Sequence, residues 1–340
     1  MVDAPRPSVL LSMERRHLPR LFDDAARARL RQVAKVDLAD EAIVADFQAP
    51  GVAERLKDTE ILLTGWGSQP VDEAVLAHAP NLEAIVHSAG SVKAIVTDAC
   101  WQRGLAVSNA VAANAVPVAE YTVAMIVLAN KHVLPIRDAY RTQNAKQDWA
   151  ITYPTIGNYG QVIGIVGASH VGREVLRLLA SYDFELLLSD PTLTAAEAER
   201  LGAELVDLDE LVTRSDVVSI HAPDLPATYH LFDQRRLARL KDQATLINTA
   251  RGRLIDTAAL TEEAATGRLD VILDVTDPEP LPPDSKLFQL PNVFLTPHLA
   301  GSTGVEVRRM GELAVAEIER YARGEPFAHP VDGSRIGQLA

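Results

Sequence analysis

The sequence predicts an α/β protein of two domains, each built on its own parallel β-sheet. Short apolar runs alternate with amphipathic stretches from Ser8 to Ser108, and the same alternation returns from Val162 to Leu295. This alternation is typical of βα units with parallel strands. A long helical pattern separates the two regions, and a chain of 340 residues is long enough to bury two full hydrophobic cores.

Composition limits the classes of partner. The formal net charge of −13 argues against nucleic acid and anionic membranes, but not against a small anionic substrate, because a site's local field can oppose the global one. Cys100 is the only cysteine, which excludes an internal disulfide and a cysteine-rich metal site. The N-terminus lacks a signal-peptide layout, and we expect no apolar run near the roughly 20 residues that span a bilayer. We therefore expect a cytoplasmic protein.

The stretch from Val162 to Asp190 is the centre of the second domain. The apolar run Val162–Val166 reads as a buried strand, and Gly167 opens a turn before an amphipathic helix. A second apolar run, Phe184–Leu188, leads to Asp190. Such a βαβ unit places a pyrophosphate on the helix N-terminus and an acid where it accepts hydrogen bonds from an adenosine ribose. The sequence therefore predicts a dinucleotide site.

The turn departs from the usual glycine fingerprint at one position. It reads Gly167-Ala168-Ser169-His170-Val171-Gly172, so Ser169 stands where the second glycine is expected. A serine leaves less room for the pyrophosphate, but its hydroxyl can contact phosphate. Asp190 is followed by Pro191-Thr192-Leu193, with no basic residue nearby to hold a 2′-phosphate, and this favours NAD over NADP.

The alternation places the elements of the first region and of the central helix. We predict strands at Ser8–Met13, Val33–Leu38, Glu60–Thr64, Glu83–Ser88 and Leu105–Ser108 and helices at Pro19–Gln32 and Val71–His78. The central helix is expected to begin near Pro117, since proline suits the first helical position, and to run towards His132. Asp148–Gly160 reads as a loop. The first region has no glycine-rich phosphate turn and so no second nucleotide site.

Elements past Asp190 extend the doubly wound sheet. We predict helices at Ala195–Leu201, Asp207–Arg214 and Thr257–Ala265 and strands at Val217–Ile220, Ala244–Asn248, Val271–Leu273 and Val293–Leu295. Asp256 is placed to cap the helix that follows it. A last amphipathic helix, Val305–Arg323, can return the chain to the first domain.

Polar residues follow four of these strands, on the side where ligands of doubly wound sheets bind. His221 follows the first, Arg251 the second, Asp274 and Glu279 the third, and His298 the fourth. Each alone is as easily explained as a surface or loop residue. Together, an arginine, a carboxylate and a histidine are the set that hydride transfer to a 2-oxo acid needs. The guanidinium binds the substrate carboxylate, and the histidine exchanges the hydroxyl proton while the acid orients it.

These stretches resemble the D-isomer-specific 2-hydroxyacid dehydrogenases, a family that includes phosphoglycerate dehydrogenases and glyoxylate/hydroxypyruvate reductases. The resemblance covers nearly the whole chain, and its motifs occur in the family's order. The matching segments are Gly164–Gly172, His221–Pro223, Asn248–Gly252, Asp274–Pro280, Thr296–Gly301, Ser88–Gly90 and Asn114–Glu120.

The resemblance implies a function and a set of site residues. Arg251 would bind and polarise the substrate, His298 would be the acid/base, and Glu279 would orient it. Asp274 would lie by the nicotinamide, and the backbone of Ala89, Gly90 and Ser91 would bind the substrate carboxylate. NAD would contact Gly167, Ser169, His170, Val171, Gly172, Asp190, His221, Ala222, Pro223, Thr249, Ala250, Arg251, Asp274, His298 and Gly301. The implied fold is a flavodoxin-like substrate domain, residues 1–113 and 302–340, around a Rossmann NAD domain, residues 114–301. Members of this family are typically homodimers.

Two alternatives stay open. The same fold serves NAD-sensing corepressors, which act by binding partners, and phosphite- or formate-type dehydrogenases. Formate enzymes are expected to pair the histidine with glutamine, whereas this chain offers Glu279. Val92-Lys93 stands where the family usually has Asp-Asn, so the substrate is not inferred from relatives. Trp66 is as readily a loop residue packed on its own domain as the cap of a substrate pocket.

Overall fold

The computed structural model describes residues 6–143 and 147–334. The chain divides into two compact units. Unit 1 comprises Met1–Asn114 and Ser302–Leu339, and unit 2 comprises Ala115–Gly301. The first crossing between the units follows Asn114, whereas the predicted boundary followed residue 113.

Unit 1 contains a parallel sheet with the strand order β2-β1-β3-β4-β5. This is the flavodoxin-like order, in which the chain reverses direction of travel across the sheet after its second strand. The strands are β1 (Ser8–Ser12), β2 (Lys35–Val36), β3 (Ile61–Thr64), β4 (Ala84–His87) and β5 (Ala106–Asn109). Every residue of β3 and β4 is buried, as expected for central strands of a sheet that is covered on both faces.

The helices of unit 1 correct one prediction. The expected single helix Pro19–Gln32 is two helices, because Phe22 takes an extended conformation and Asp23 caps the second helix by accepting the N–H of Ala26. Helical periodicity continues through the break, so the apolar pattern alone does not reveal it. The helices are α1 (Leu18–Leu21), α2 (Asp24–Val33), α3 (Val52–Lys57), α4 (Glu73–His78) and α5 (Asp98–Gln102).

Helix α6 (Val111–Asn130) begins six residues earlier than predicted, with Pro117 in its interior. The Asn109 side chain accepts the N–H of Val111, which starts the helix ahead of the proline. Among the described residues, α6 alone is long and apolar enough to cross a membrane by length and composition, with a mean hydropathy of 1.6. The expectation that no apolar segment approaches that length was therefore wrong. Four α6 residues pack in the core of unit 2: Ala119, Val123, Ile126 and Ala129.

Unit 2 contains a larger parallel sheet with the strand order β12-β11-β10-β9-β6-β7-β8. The strands are β6 (Tyr159–Val166), β7 (Asp183–Ser189), β8 (Glu204–Leu205), β9 (Val217–Ile220), β10 (Thr245–Asn248), β11 (Asp270–Leu273) and β12 (Val293–Leu295). The chain passes from β6 to β8 on one side of the sheet and returns from β9 to β12 on the other. The reversal between β6 and β9 is the point at which such sheets bind ligands.

The helices of unit 2 include one that lies in the predicted loop Asp148–Gly160, where Asp148 caps a short helix by accepting the N–H of Ala150. The predicted helix Thr257–Ala265 and its cap, Asp256, are both confirmed. The helices are α7 (Val133–Gln143), α8 (Trp149–Thr152), α9 (His170–Leu179), α10 (Ala195–Arg200), α11 (Leu208–Arg214), α12 (Gln234–Leu237) and α13 (Thr257–Ala265).

The last helix, α14 (Val307–Ala322), belongs to unit 1 and packs on α1 and α2. Its approach to α1 is close: a Cβ added at Gly311 would lie far inside van der Waals contact with the carbonyl oxygen of Leu21. Apolar residues on the same face fill the core of unit 1, namely Val307, Met310, Ala314, Val315 and Ile318.

Candidate active site

Three neighbouring strands of unit 2 end in the loops that carry the predicted catalytic residues. Arg251 follows β10, Glu279 lies in the loop after β11, and His298 follows β12. Backbone hydrogen bonds join these loops, since Asp274 N–H donates to Asn248 O (3.0 Å) and His298 N–H donates to Asp274 O (2.8 Å). The order of strands thus brings together residues that lie far apart in the sequence.

His298 and Glu279 form a hydrogen-bonded pair. Nδ1 of His298 lies 2.7 Å from Oε1 of Glu279, and both side chains are about half exposed. A carboxylate can only accept, so Nδ1 carries the proton and Nε2 is the atom left to exchange a proton with another molecule. His298 also has φ of 52°, in the left-handed region that residues other than glycine seldom adopt. The surrounding turn fixes this conformation.

Arg251 is half-buried, and its backbone is held by Asn248, whose Nδ2 donates to the Arg251 carbonyl (2.9 Å). Across residues 6–143 and 147–334 no carboxylate lies within ion-pair distance of its guanidinium, which donates to the carbonyl oxygen of Ala250 (2.7 Å). About half of the other described arginines have an acidic partner, among them Arg29, Arg214 and Arg236. A guanidinium without a partner carboxylate is suited to receive one from a ligand.

Asp274 is buried and holds the turn that carries His298. Its Oδ1 accepts hydrogen bonds from Thr296 Oγ1 (2.6 Å) and Leu299 N–H (2.8 Å), and its Oδ2 accepts one from Ala300 N–H (2.9 Å). Asp274, which is predicted to lie by the nicotinamide, therefore also has a structural role, because these hydrogen bonds hold the segment on both sides of His298.

The glycine turn after β6 is closely packed. Gly167 has φ of 96°, and an added Cβ would lie 2.7 Å from the backbone nitrogen of Ala222. A Cβ on Gly172 would overlap the carbonyl oxygen of Gly167. Gly167 is thus required by its backbone conformation and by its contact with Ala222, and Gly172 is required by its contact with Gly167.

Ser169 needs no such freedom. Its φ is −63°, and it is the N-cap of α9, with its hydroxyl oxygen accepting the N–H of Gly172 at 3.4 Å. The replacement of the second glycine by serine therefore has a structural reason. His170 and Val171 form the first turn of α9, the end of a helix that favours a bound anion.

Asp190 lies beside this turn, after β7. Its Oδ2 accepts the N–H of Ala168 (2.7 Å), and its Oδ1 accepts from the backbone and hydroxyl of Thr192. Partial burial opposes ionisation of Asp190, but the hydrogen bonds from Thr192 and Ala168 and the charge of Arg173 outweigh it and lower the pKa of the carboxyl. Arg173, on α9, is thus a basic neighbour that the sequence around Asp190 does not reveal.

His221 is fully enclosed behind the glycine turn. Its Nε2 lies 2.9 Å from Ser219 Oγ, its Nδ1 has no hydrogen-bond partner, and burial lowers its pKa to about 3. The imidazole is therefore neutral. The adjoining Ala222 contacts Gly167, and Pro223 is half-buried.

Thr249 and Ala250 connect β10 to Arg251. Thr249 is buried, and its Oγ1 lies 3.0 Å from Oγ1 of Thr122 on α6. Ala250 donates its N–H to Asn248 Oδ1 (3.0 Å). Gly301, at the end of the His298 segment, is half-buried and is the last residue of unit 2 before Ser302.

The predicted substrate-binding residues of unit 1 follow β4. Ala89 is buried, with its carbonyl accepting the N–H of Ala110 (2.9 Å), while Gly90 is half-buried and Ser91 exposed. Trp66, after β3, is partly buried against the core of unit 1, with its ring 5.2 Å from that of His17. The structure therefore gives Trp66 a packing role within its own unit.

Sequence reasoning missed two polar residues that contact the loops of the site. Tyr121 Oη lies 2.9 Å from Thr296 Oγ1, and its neighbour Thr122 contacts Thr249. Both residues lie on α6, for which the sequence predicted no role in the site. The one available signal was the run of three polar residues Glu120-Tyr121-Thr122 within a mainly apolar helix.

The residues present fit a dinucleotide. The first-turn amides of α9 suit a pyrophosphate, and Asp190 presents a carboxylate at the end of β7, as a ribose requires. In the part of the chain that the structure describes, no group of three His, Cys, Asp or Glu side chains is arranged to hold a metal ion.

Comparison with known proteins agrees with this geometry. The chain is 30% identical over 322 residues to D-3-phosphoglycerate dehydrogenase from Methanocaldococcus jannaschii, covering 94% of this chain and 59% of that protein. It is 35% identical over 261 residues to glyoxylate reductase from Thermofilum pendens, covering 75% and 76%. The structure of D-lactate dehydrogenase from Aquifex aeolicus, complexed with NAD and lactic acid, has a TM-score of 0.67 at 25% identity, covering 93% and 96%.

The extent of these matches differs between relatives. The chain spans 59% of the length of the archaeal phosphoglycerate dehydrogenase and about half the length of the mycobacterial ones. Residues 123–300 match the model of the NAD-binding domain of the D-isomer-specific 2-hydroxyacid dehydrogenases. With this match, and with 35% identity to a glyoxylate reductase of which it covers 76%, the chain belongs to the D-isomer-specific 2-hydroxyacid dehydrogenase family and carries that family's NAD-binding domain.

Proposed function

We propose that this protein is an NAD(H)-dependent D-2-hydroxyacid dehydrogenase that acts as a reductase of a small 2-oxo acid. The observation that carries the proposal is the His298–Glu279 hydrogen bond of 2.7 Å, on the same sheet edge as an arginine without a carboxylate partner. Arg251, Glu279 and His298 are proposed as the catalytic residues.

Arg251 would bind the substrate. A planar guanidinium donates two parallel hydrogen bonds to a carboxylate, and a further N–H can polarise the neighbouring carbonyl. The half-buried position of Arg251 strengthens these interactions relative to those of an exposed arginine. Ala89, Gly90 and Ser91 of unit 1 are also proposed as substrate-binding residues, through their backbone N–H groups.

His298 would supply the proton. Because Glu279 holds Nδ1, the Nε2–H of the protonated ring faces outward as the acid that protonates the carbonyl oxygen as the alcohol forms. Glu279 keeps the ring in one orientation. NADH supplies the hydride when it is bound. In the opposite direction, neutral Nε2 removes the hydroxyl proton.

The test is the loss of NADH absorbance with a panel of 2-oxo acids: glyoxylate, hydroxypyruvate, pyruvate, phenylpyruvate, 2-oxoisocaproate and 3-phosphohydroxypyruvate. We expect turnover of at least one of them, and a loss of about 100-fold or more in His298→Gln, as is typical when a general acid is removed. His78→Gln, at an exposed histidine of α4, is the matched control and is expected to leave turnover unchanged.

Two results would contradict the proposal. Turnover that survives in His298→Gln would remove the assigned acid/base. NADH binding without turnover of any 2-oxo acid would favour the sensing role open to this fold. The Glu279 partner, in place of glutamine, supports a hydroxyacid rather than formate as substrate.

We also propose that the protein is a cytoplasmic homodimer without nucleic-acid or membrane partners. Exposed apolar side chains on α7 and α8, among them Tyr140 and Ile151, support self-association. Light scattering of the purified protein tests this, and a monomeric mass across the micromolar range would contradict it.

A further inference from the structure

The hydroxyl groups of two adjacent residues of α6 contact the two loops of the site. Tyr121 contacts Thr296, two residues before His298, and Thr122 contacts Thr249, two residues before Arg251. Consecutive residues on a helix point about 100° apart, so one turn of α6 reaches both loops.

Chemistry fixes the direction of the first chain of hydrogen bonds. The Asp274 carboxylate can only accept, so Thr296 donates its hydroxyl proton to Oδ1 at 2.6 Å. Thr296 Oγ1 must then accept from Tyr121, whose phenol is the donor at 2.9 Å. Burial raises the pKa of the Tyr121 phenol, and the nearby Asp274 carboxylate raises it further, which keeps this donor protonated.

This chain of hydrogen bonds ends on the backbone around His298. Asp274 accepts the N–H groups of Leu299 and Ala300, and its carbonyl accepts that of His298. A left-handed φ at His298 persists only where the surroundings over-determine it. These three backbone hydrogen bonds meet that requirement, and the hydroxyl of Thr296 holds the carboxylate that makes two of them.

We propose that Tyr121 and Thr122 of α6 are positioning residues, which act through Thr296–Asp274 and through Thr249 to hold His298 and Arg251 in their reactive orientations. This inference rests on the proposed dehydrogenase function. It adds to that function a helix that aligns the acid/base with the substrate-binding arginine without contacting substrate.

The test compares Tyr121→Phe and Thr296→Val with Thr296→Ser, which keeps the hydroxyl. We expect kcat to fall about 10-fold in Thr296→Val, which corresponds to about 1.4 kcal/mol, and about 3-fold in Tyr121→Phe. Thr296→Ser is expected to stay within about 2-fold of wild type, because the donor to Asp274 remains. Tyr159→Phe, at a tyrosine 82% exposed on β6, is the control and should leave kcat unchanged.

A double variant separates positioning from a general loss of structure. In the double variant, Tyr121→Phe should add no further loss to Thr296→Val, because both act through one chain. Full additivity would overturn the inference.

A measurement without turnover keeps this inference distinct from the proposed function. In protein labelled with ¹⁵N-histidine, the Nδ1–H that His298 donates to Glu279 should be protected from exchange with solvent and absent in His298→Gln. Its protection should be lost in Thr296→Val and kept in Thr296→Ser. If wild type turns over no 2-oxo acid, the proposed function fails and this signal alone decides: protection retained in Thr296→Val would overturn the positioning role.

Discussion

The hydroxyl oxygen of Ser169 accepts the backbone N–H of Gly172 and so caps the helix whose N-terminus faces the predicted pyrophosphate. Ser169→Asp should keep this cap, because aspartate is an equally good N-cap, while it adds a negative charge beside the phosphates. We expect NADH affinity, measured by fluorescence titration, to fall about 10-fold or more, with little change in melting temperature.

The control for this change is Thr194→Asp, at the N-cap of α10, where NADH affinity should not change. Ser169→Gly completes the comparison. It removes the hydroxyl but costs only a few tenths of a kcal/mol at an N-cap, and NADH should bind at least as tightly as in wild type. Weaker binding in Ser169→Gly would show that the hydroxyl itself contacts the cofactor.

Asp190 should determine the preference for NADH over NADPH. Asp190→Ala removes a carboxylate that would repel a 2′-phosphate and leaves Arg173 in place on α9. The ratio of kcat/KM for NADPH to that for NADH should rise about 30-fold, the factor expected when about 2 kcal/mol of repulsion is lost. Steady-state kinetics with both cofactors measure it. The gain should be smaller in the double variant Asp190→Ala/Arg173→Gln, and an equal gain there would exclude Arg173 as a phosphate contact.

His87 should make unit 1 less stable in mild acid. Its ring is buried on β4, 2.9 Å from Thr64 Oγ1, and burial lowers its pKa to about 4. The folded protein therefore keeps the ring neutral, while the unfolded chain protonates it below about pH 6.5. The free energy of unfolding should fall as pH drops from about 6.5 to about 4, and the loss due to this residue is about 2 kcal/mol at about pH 5.

Urea unfolding at about pH 7 and about pH 5 measures this effect. His87→Asn, which has no titrating ring, should show a correspondingly smaller loss, whereas the exposed His78→Asn should behave as wild type. An equal loss in wild type and His87→Asn would assign the acid sensitivity to other groups.

Gly311 allows α14 to pack on α1. Gly311→Ala places a methyl group against the Leu21 carbonyl, and overpacking of this kind costs about 1–3 kcal/mol. The melting temperature should fall, since the favourable change in helix propensity is smaller than this cost. Glu312→Ala, one residue along and exposed, is the control; a Gly311→Ala variant as stable as this control would mean that α14 shifts freely.

The sequence predicted every strand except β8 to within a few residues, because buried parallel strands are short apolar runs between polar turns. The strand β8 was missed because it is only two residues long and begins with an exposed glutamate. The sequence also predicted the Asp256 cap. It did not predict the break at Phe22 or the start of α6 ahead of Pro117, since a cap at Asp23 and a side-chain contact from Asn109 decide these boundaries.

The residues of the candidate site were likewise predicted only in part. The pattern of strand ends identified Arg251, Glu279 and His298 as candidates, because parallel strands end at one edge of a sheet. The role of α6 could not be predicted from one sequence. Tyr121 and Thr296 lie 175 positions apart, and no local pattern encodes a contact over that separation. Arg173 was missed for a related reason: it neighbours Asp190 through the helix rather than along the chain.

The backbone N–H of Ser302 donates to the side-chain oxygen of Asn114 at 2.9 Å, so the chain leaves unit 1 and re-enters it at adjacent points. The 187 residues between them, Ala115–Gly301, are in effect a single insertion into a surface site of a smaller α/β protein. Insertions of whole domains are tolerated where the two chain ends lie close together. A few glycine and serine residues joining Asn114 to Ser302 would restore an uninterrupted flavodoxin-like chain, which makes unit 1 separable by gene design and its folding open to study without the nucleotide unit.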